Sequence, residues 1–232
     1  MAIRILPFRQ YAEQDVINLY ALQGSDVNDQ LSTKGNGDAG VFVKITNGDL
    51  TEGPIKYETD SYLGKTDYPY VGRDQYPSVP LRVGVAGTGD NVLGLTLNQT
   101  ALKDENGEKL LYYPQKALEN QAVLSGQAVP VLTRGVIGLS STSAGAGGNN
   151  AYVSDSNWAV GNNVVIAEGS AGKLSGVNPV DARVSGPDGD IGRQVLGTIL
   201  ATGERDATNR QSDQFVGTSH GSYSIVKVDC NG

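Results

Sequence analysis

Hydrophobic positions along the chain fall into short runs separated by polar, glycine-containing turns. That spacing predicts strands rather than helices. From residue 79 onward the runs are LRVGVAG (81–87), VLGLTL (92–97), AVPVLTRGVIGL (128–139), VVIAEG (164–169), QVLGTILAT (194–202) and YSIVKV (223–228). Turn sequences separate them, among them GTGDN at 87–91, DENG at 104–107 and the loop SSTSAGAGGNN at 140–150. One segment differs: PQKALENQ (114–121) has Pro in its first turn and helix formers after it, which predicts a short α-helix. Many short strands with one helix give an all-β expectation, a small barrel or sandwich.

The first 78 residues are patterned differently. In MAIRILPFRQYAEQDVINLYAL the large apolar residues Ile3, Ile5, Phe8, Val16, Leu19 and Tyr20 form no sustained helical stripe, and Pro7 stops an early helix. Two readings stand for this segment. One is an extended N-terminal arm followed by a short strand at about 15–22; the other is a first strand of the core. Residues 23–40 are polar and turn-rich, as in a loop or linker. VFVKI (41–45) predicts a strand closed by Asn47–Gly48. Residues 57–80 are rich in Tyr and Pro without periodicity, and are expected to form an ordered loop over a surface. The organisation expected is an arm and loop-rich region at 1–78 and a β domain at 79–232.

Composition supports this picture. The 31 glycines and a hydrophobic share of 38% suit many strands joined by turns rather than a helical bundle. Aromatic residues are mainly Tyr, 11 against 3 Phe and 1 Trp, and Tyr combines contact area with a polar tip. A net charge of −7 without a basic run argues against nucleic acid as a partner. No apolar run approaches the ~20 residues that a membrane-spanning helix needs, and the N-terminus lacks signal-peptide form. A soluble protein made in a cytosol is expected. Cys230 is the single cysteine, so an intrachain disulfide or a cysteine metal cluster is excluded.

Motifs for chemistry fail on context. Gly87 and Gly89 make a G-x-G, but the run Val92, Leu93, Leu95, Leu97 that follows is a strand, not the helix a pyrophosphate needs. GTSHG (217–221) matches a nucleophile elbow, with Ser219 as nucleophile. The only histidine, His220, is adjacent and cannot readily reach that hydroxyl, and a strand follows. Asp104, Glu105, Asp188, Asp190, Glu204 and Asp206 are scattered through turns with no spacing that marks a glycosidase pair. PDGD (187–190) lacks the later Glu of a calcium loop. The expectation is a non-enzyme without cofactor or metal.

The phrase WAVGNNVVIAEGSAGKLSG (158–176), followed by VLGTIL (195–200) and the closing strand SIVKV (224–228), resembles the head-decoration, or capsid cement, proteins of tailed bacteriophages. AVPVLTRGVIG (128–138) is similar to an earlier segment of that family, and the likeness spans roughly 79–228. Extra N-terminal residues and the loop at 140–150 depart from its small members. The resemblance implies a compact β-barrel or β-tulip-like domain, a homotrimer, and a place on the outer capsid surface of a virion. The partner it implies is the major capsid protein, whose adjacent subunits would be clamped. The arm residues Ile3, Arg4, Ile5, Phe8, Arg9 and Tyr11 are then the expected capsid-binding set, by strand addition and charge pairing. The competing expectation is a receptor- or carbohydrate-binding module of a phage appendage, with Tyr57, Tyr62, Tyr68, Tyr70 and Tyr76 as stacking platforms.

Overall fold

Alternation along β4 (Phe42–Thr46) explains how the sheets are layered. Phe42 and Val43 are adjacent, must point to opposite faces, and are both fully buried. The sheet holding β4 is therefore covered on both sides. The structure, a computed structural model, describes residues 4–28, 36–46, 81–104, 106–110, 113–141, 150–154, 156–178, 193–205 and 221–230.

The first sheet has six antiparallel strands. In spatial order they are β1 (Ile5–Gln10), β10 (Arg134–Ser141), β14 (Gly221–Asp229), β13 (Gly197–Arg205), β11 (Asn163–Ile166) and β12 (Leu174–Val177). The second sheet runs β2 (Val16–Ile17), β9 (Val131–Leu132), β6 (Val92–Thr96), β4, β5 (Arg82–Val85) and β3 (Ala21–Leu22). It curls until its ends meet. Ala21 of β3 bridges Ala128, and Val129 N–H donates to the Tyr20 carbonyl at 2.9 Å, just ahead of β9. A third, parallel pair, β7 (Gln99–Ala101) and β8 (Ala122–Leu124), is joined through helix α1 (Pro114–Glu119). The all-β architecture with one short α-helix matches the pattern of short apolar runs.

Two cores follow from this layering. Between the sheets, Phe42, Leu95 and Leu132 of the second meet Ile137, Leu139, Ile199, Val226 and Val228 of the first. Inside the curl of the second sheet lie Leu22, Val27, Val43, Val83, Val129 and Val131. Burial on both faces accounts for the apolar runs at 41–43 and 92–95, where a half-exposed strand would alternate. A small third cluster, Ala101, Leu110, Ala117 and Leu124, seats α1 on the β7–β8 pair. The helix ends at Glu119, two residues earlier than the sequence pattern predicts, because Gln121 turns to φ 49° and leads the chain into β8.

The N-terminal segment takes the second of its two readings. Residues 5–10 pair with β10, with Ile5 opposite Leu139 and Gln10 opposite Val136, and Ile5 is buried in the inter-sheet core. Between Ile5 and Arg9 the register slips, as in a β-bulge, and Pro7 falls there, where no ladder N–H is required. Gly138 admits the bulge: a Cβ on it would lie 3.2 Å from the Leu6 Cβ and 3.5 Å from the Phe8 Cβ. The expected boundary near residue 79 does not coincide with a break in pairing, since β4 lies between β5 and β6. For the same reason GTGDN, read as a turn between neighbouring strands, instead carries the chain past the end of β4. The strand expected at about 15–22 is split into β2 and β3. The turn at 47–48, the Tyr-rich loop at 57–80, the loop at 142–149, PDGD and residues 217–220 of GTSHG lie outside the described residues.

Position within β4 should set the cost of truncation. Phe42→Ala is expected to lower the unfolding free energy by about 3–5 kcal/mol. Ile45→Ala, at a side chain 56% exposed on the same strand, should cost under about 0.5 kcal/mol. Urea denaturation of both variants checks the contrast, and equal losses would contradict the layering.

Candidate functional site

The expected contact residues divide into an interior and an exterior set. Arg4 and Ile5 are 2% and 5% exposed, so neither is available to a partner in the folded chain, which corrects the expectation for both. The Arg4 carbonyl accepts from Ser140 N–H at 2.8 Å, extending the β1–β10 ladder by one residue. Ile3 lies outside the described residues. Phe8, Arg9 and Tyr11 are exposed, Phe8 at 52%.

Arg4 answers to Asp38, with Nε 3.5 Å from Oδ2 and both side chains almost fully enclosed. Asp38 Oδ1 also accepts from Asn28 Nδ2 at 2.7 Å, and the Asp38 carbonyl accepts from Thr96 Oγ1 at 3.1 Å. Burial raises the Asp38 carboxyl above the usual range, opposed by the Arg4 charge and the Asn28 hydrogen bond. Burial also draws Arg4 down against its attraction to Asp38, yet a guanidinium stays charged. Sequence reading gave Arg4 a surface partner. Asp38, the partner it has, lay in a stretch read as linker and carried no signal of its own.

On the exterior, strand alternation assembles a strip that the sequence reading did not identify. Ile137, Leu139, Val226 and Ile199 face the core. Their neighbours Gly138, Ile225 and Ala201, opposite one another across β10, β14 and β13, therefore share the outward face. Leu6 and Phe8 lie against Gly138 on that side. Leu200, 45% exposed, sits where the β13–β14 register slips. The result is an apolar strip across four strands, with Phe8 near one end and Leu200 near the other. Its signal was present in alternation at 195–200 and 223–228, but which parity faces outward depends on the opposing sheet.

Other candidate groups have structural duties. Trp158 stacks on Tyr152, ring centroids 4.2 Å apart and 7° from parallel, and its indole N–H donates to Ser224 Oγ at 2.7 Å. One ring face is thus covered. Asp104 caps its own turn, Oδ1 accepting from Asn106 N–H at 2.9 Å and Glu108 N–H at 2.7 Å. Its other oxygen takes Lys116 Nζ of α1. The Lys116 hydrogen bond, ahead of these backbone bonds, holds the carboxyl below its ordinary range against burial. Among the described residues no group of three or more His, Cys, Asp or Glu is arranged to hold a metal ion. Glu105, Asp188, Asp190 and Asp206 lie outside them. No helix among the described residues is long and apolar enough to cross a membrane.

Cys230 is buried in the inter-sheet core, and burial, aided by Asp229, pushes its thiol up to about 12. No family model matches the chain, and neither the curated proteins nor the solved structures yield a match.

Two tests follow from these buried groups. Asp38→Ala leaves Arg4 buried without its carboxylate and is expected to cost about 3–5 kcal/mol. The double variant Arg4→Met/Asp38→Leu should recover much of that loss, as read by chemical denaturation. Cys230 binds its proton more tightly when folded than at the unfolded value near 8.5. Its contribution is therefore complete below about pH 8.5 and is lost as pH rises towards the folded value of about 12. A thiol reagent should leave the native protein unmodified at pH 8 and label it in denaturant, and rapid native labelling would contradict the burial.

Proposed function

We propose that this chain is a structural protein of a bacteriophage head, bound to the outer capsid surface, where it braces adjacent major capsid protein subunits. The observation that carries the reading is the apolar strip Leu6, Phe8, Ile225, Ala201 and Leu200 on the outward face of a sheet whose other face is core. Such a strip on a packed β body suits side-chain docking against a protein surface. The sequence resemblance supplies the identity of that surface and the homotrimeric form.

This reading replaces strand addition by a free arm with contact through a sheet face. β1 already spends one edge on β10, and Pro7 interrupts the other. Phe8, Arg9 and Tyr11 keep their place in the proposed contact, while Arg4 and Ile5 hold the strand that presents them. Side chains on a paired strand lose less conformational freedom on binding than those on a disordered arm. The acidic net charge of −7 keeps a densely decorated particle soluble.

The test is co-sedimentation with undecorated capsids of the parent phage. Wild-type protein should bind saturably. Phe8→Asp or Leu200→Asp should weaken binding by about 2 kcal/mol, roughly thirtyfold. Leu118→Asp, at a helix position 78% exposed, should bind as wild type. If the wild-type protein does not sediment with capsids, the reading fails and an appendage-borne binding module takes its place. Binding that both strip variants leave unchanged would keep the role and move the contact elsewhere.

A further inference from the structure

We propose that Asn106–Gly107 is a site of spontaneous covalent modification, at which the asparagine converts to aspartate and isoaspartate while Asn36–Gly37 is protected. Four Asn–Gly dipeptides occur in the chain, at 36–37, 47–48, 106–107 and 231–232. The first and third lie among the described residues, in opposite environments.

The reaction needs no catalyst. The Gly107 main-chain nitrogen gives its proton to solvent base and attacks the Asn106 side-chain carbonyl carbon. A C–N bond forms, the bond to the side-chain nitrogen breaks, and the nitrogen takes a proton from water and leaves as ammonia. Water then opens the cyclic imide at either carbonyl. One opening gives aspartate; the other gives isoaspartate, with the main chain routed through the former side chain. Glycine after asparagine favours the attack because no Cβ obstructs it and the backbone turns freely.

At 106–107 the requirements are met. Both residues are exposed, and Gly107 adopts φ 83°. The Asn106 main chain is fixed by its N–H bond to Asp104 Oδ1 at 2.9 Å. Its side-chain amide makes no hydrogen bond among the described residues. The attacking nitrogen is restrained only by a 3.2 Å bond to the Asp104 carbonyl, in an exposed turn whose opening is of the low-cost kind.

At 36–37 each requirement is blocked. Gly37 is buried, and its N–H donates to Asn28 Oδ1 at 2.9 Å. The space beside it is closed: a Cβ there would lie 2.4 Å from the Asn28 nitrogen and 2.5 Å from the Thr100 carbonyl oxygen. The leaving amide of Asn36 is held by Asp26 Oδ1 at 3.3 Å.

The modified turn sits under α1. Glu108 N–H donates to Asp104 Oδ1, and Asp104 in turn receives Lys116 Nζ from the helix. Lengthening the main chain at 106 shifts that donor away from Asp104, so isoaspartate loosens the α1 anchorage.

The experiment is incubation of the folded full-length protein at mildly alkaline pH and 37 °C, followed by proteolysis and mass spectrometry of the Asn36 and Asn106 peptides. The Asn106 peptide should gain the mass of an amide-to-acid exchange several-fold faster than the Asn36 peptide, with isoaspartate exceeding aspartate. In denaturant the two rates should converge. Asn106→Gln should abolish the fast component. Equal rates in the folded protein, or a faster Asn36, would overturn the proposal.

Discussion

Phe42 and Val43 are neighbours on one strand and both are fully buried, and this pair of opposed burials organises the molecule. A strand can place consecutive side chains in cores on both sides only if its sheet is enclosed from both directions. Here the first sheet covers one face, and the curl of the second sheet upon itself covers the other. The first sheet is enclosed on both faces at β11, where Val164 and Val165 are both fully buried; across β10, β14 and β13 one face is core, and Ile225, Ala201 and Leu200 on the other are partly exposed. The strip at Phe8, Ile225 and Leu200 lies where, among the described residues, nothing packs over the second face of β1, β10, β14 and β13.

The amino terminus is secured by a polar device as well as an apolar one. Ile5 fills part of the inter-sheet core, and Arg4 beside it is held inside by Asp38. A buried ion pair of this kind adds little net stability compared with apolar residues of the same shape, whereas removing one partner strands a charge. Its effect here is positional. With Arg4 and Ile5 fixed, the bulge at Pro7 must fall over Gly138, and Phe8 is presented on the outward face. The two buried residues thus decide which of their neighbours are exposed.

Several sheet edges among the described residues are covered or interrupted. The second sheet brings β3 against the segment ahead of β9. In the first, Tyr152 bridges Leu174 at the start of β12. β1 carries a proline at its bulge. Where these edges are occupied or interrupted, strand addition is disfavoured and the exposed sheet face is the more accessible surface.

The all-β class and the short helix at 114 were legible in the chain alone. Both are local: strand runs and turn glycines are read within a dozen positions. Two readings stood for residues 1–22, a free arm or a first core strand. Only the packing placed residues 4–10 in the core sheet, since nothing near Arg4 in sequence announces Asp38, thirty-four residues later, as its partner. It likewise decided that β4 lies between β5 and β6, and that Ile225 rather than Val226 faces outward. Alternation gives two faces to every strand, and only the neighbour that packs against one of them determines which is the surface.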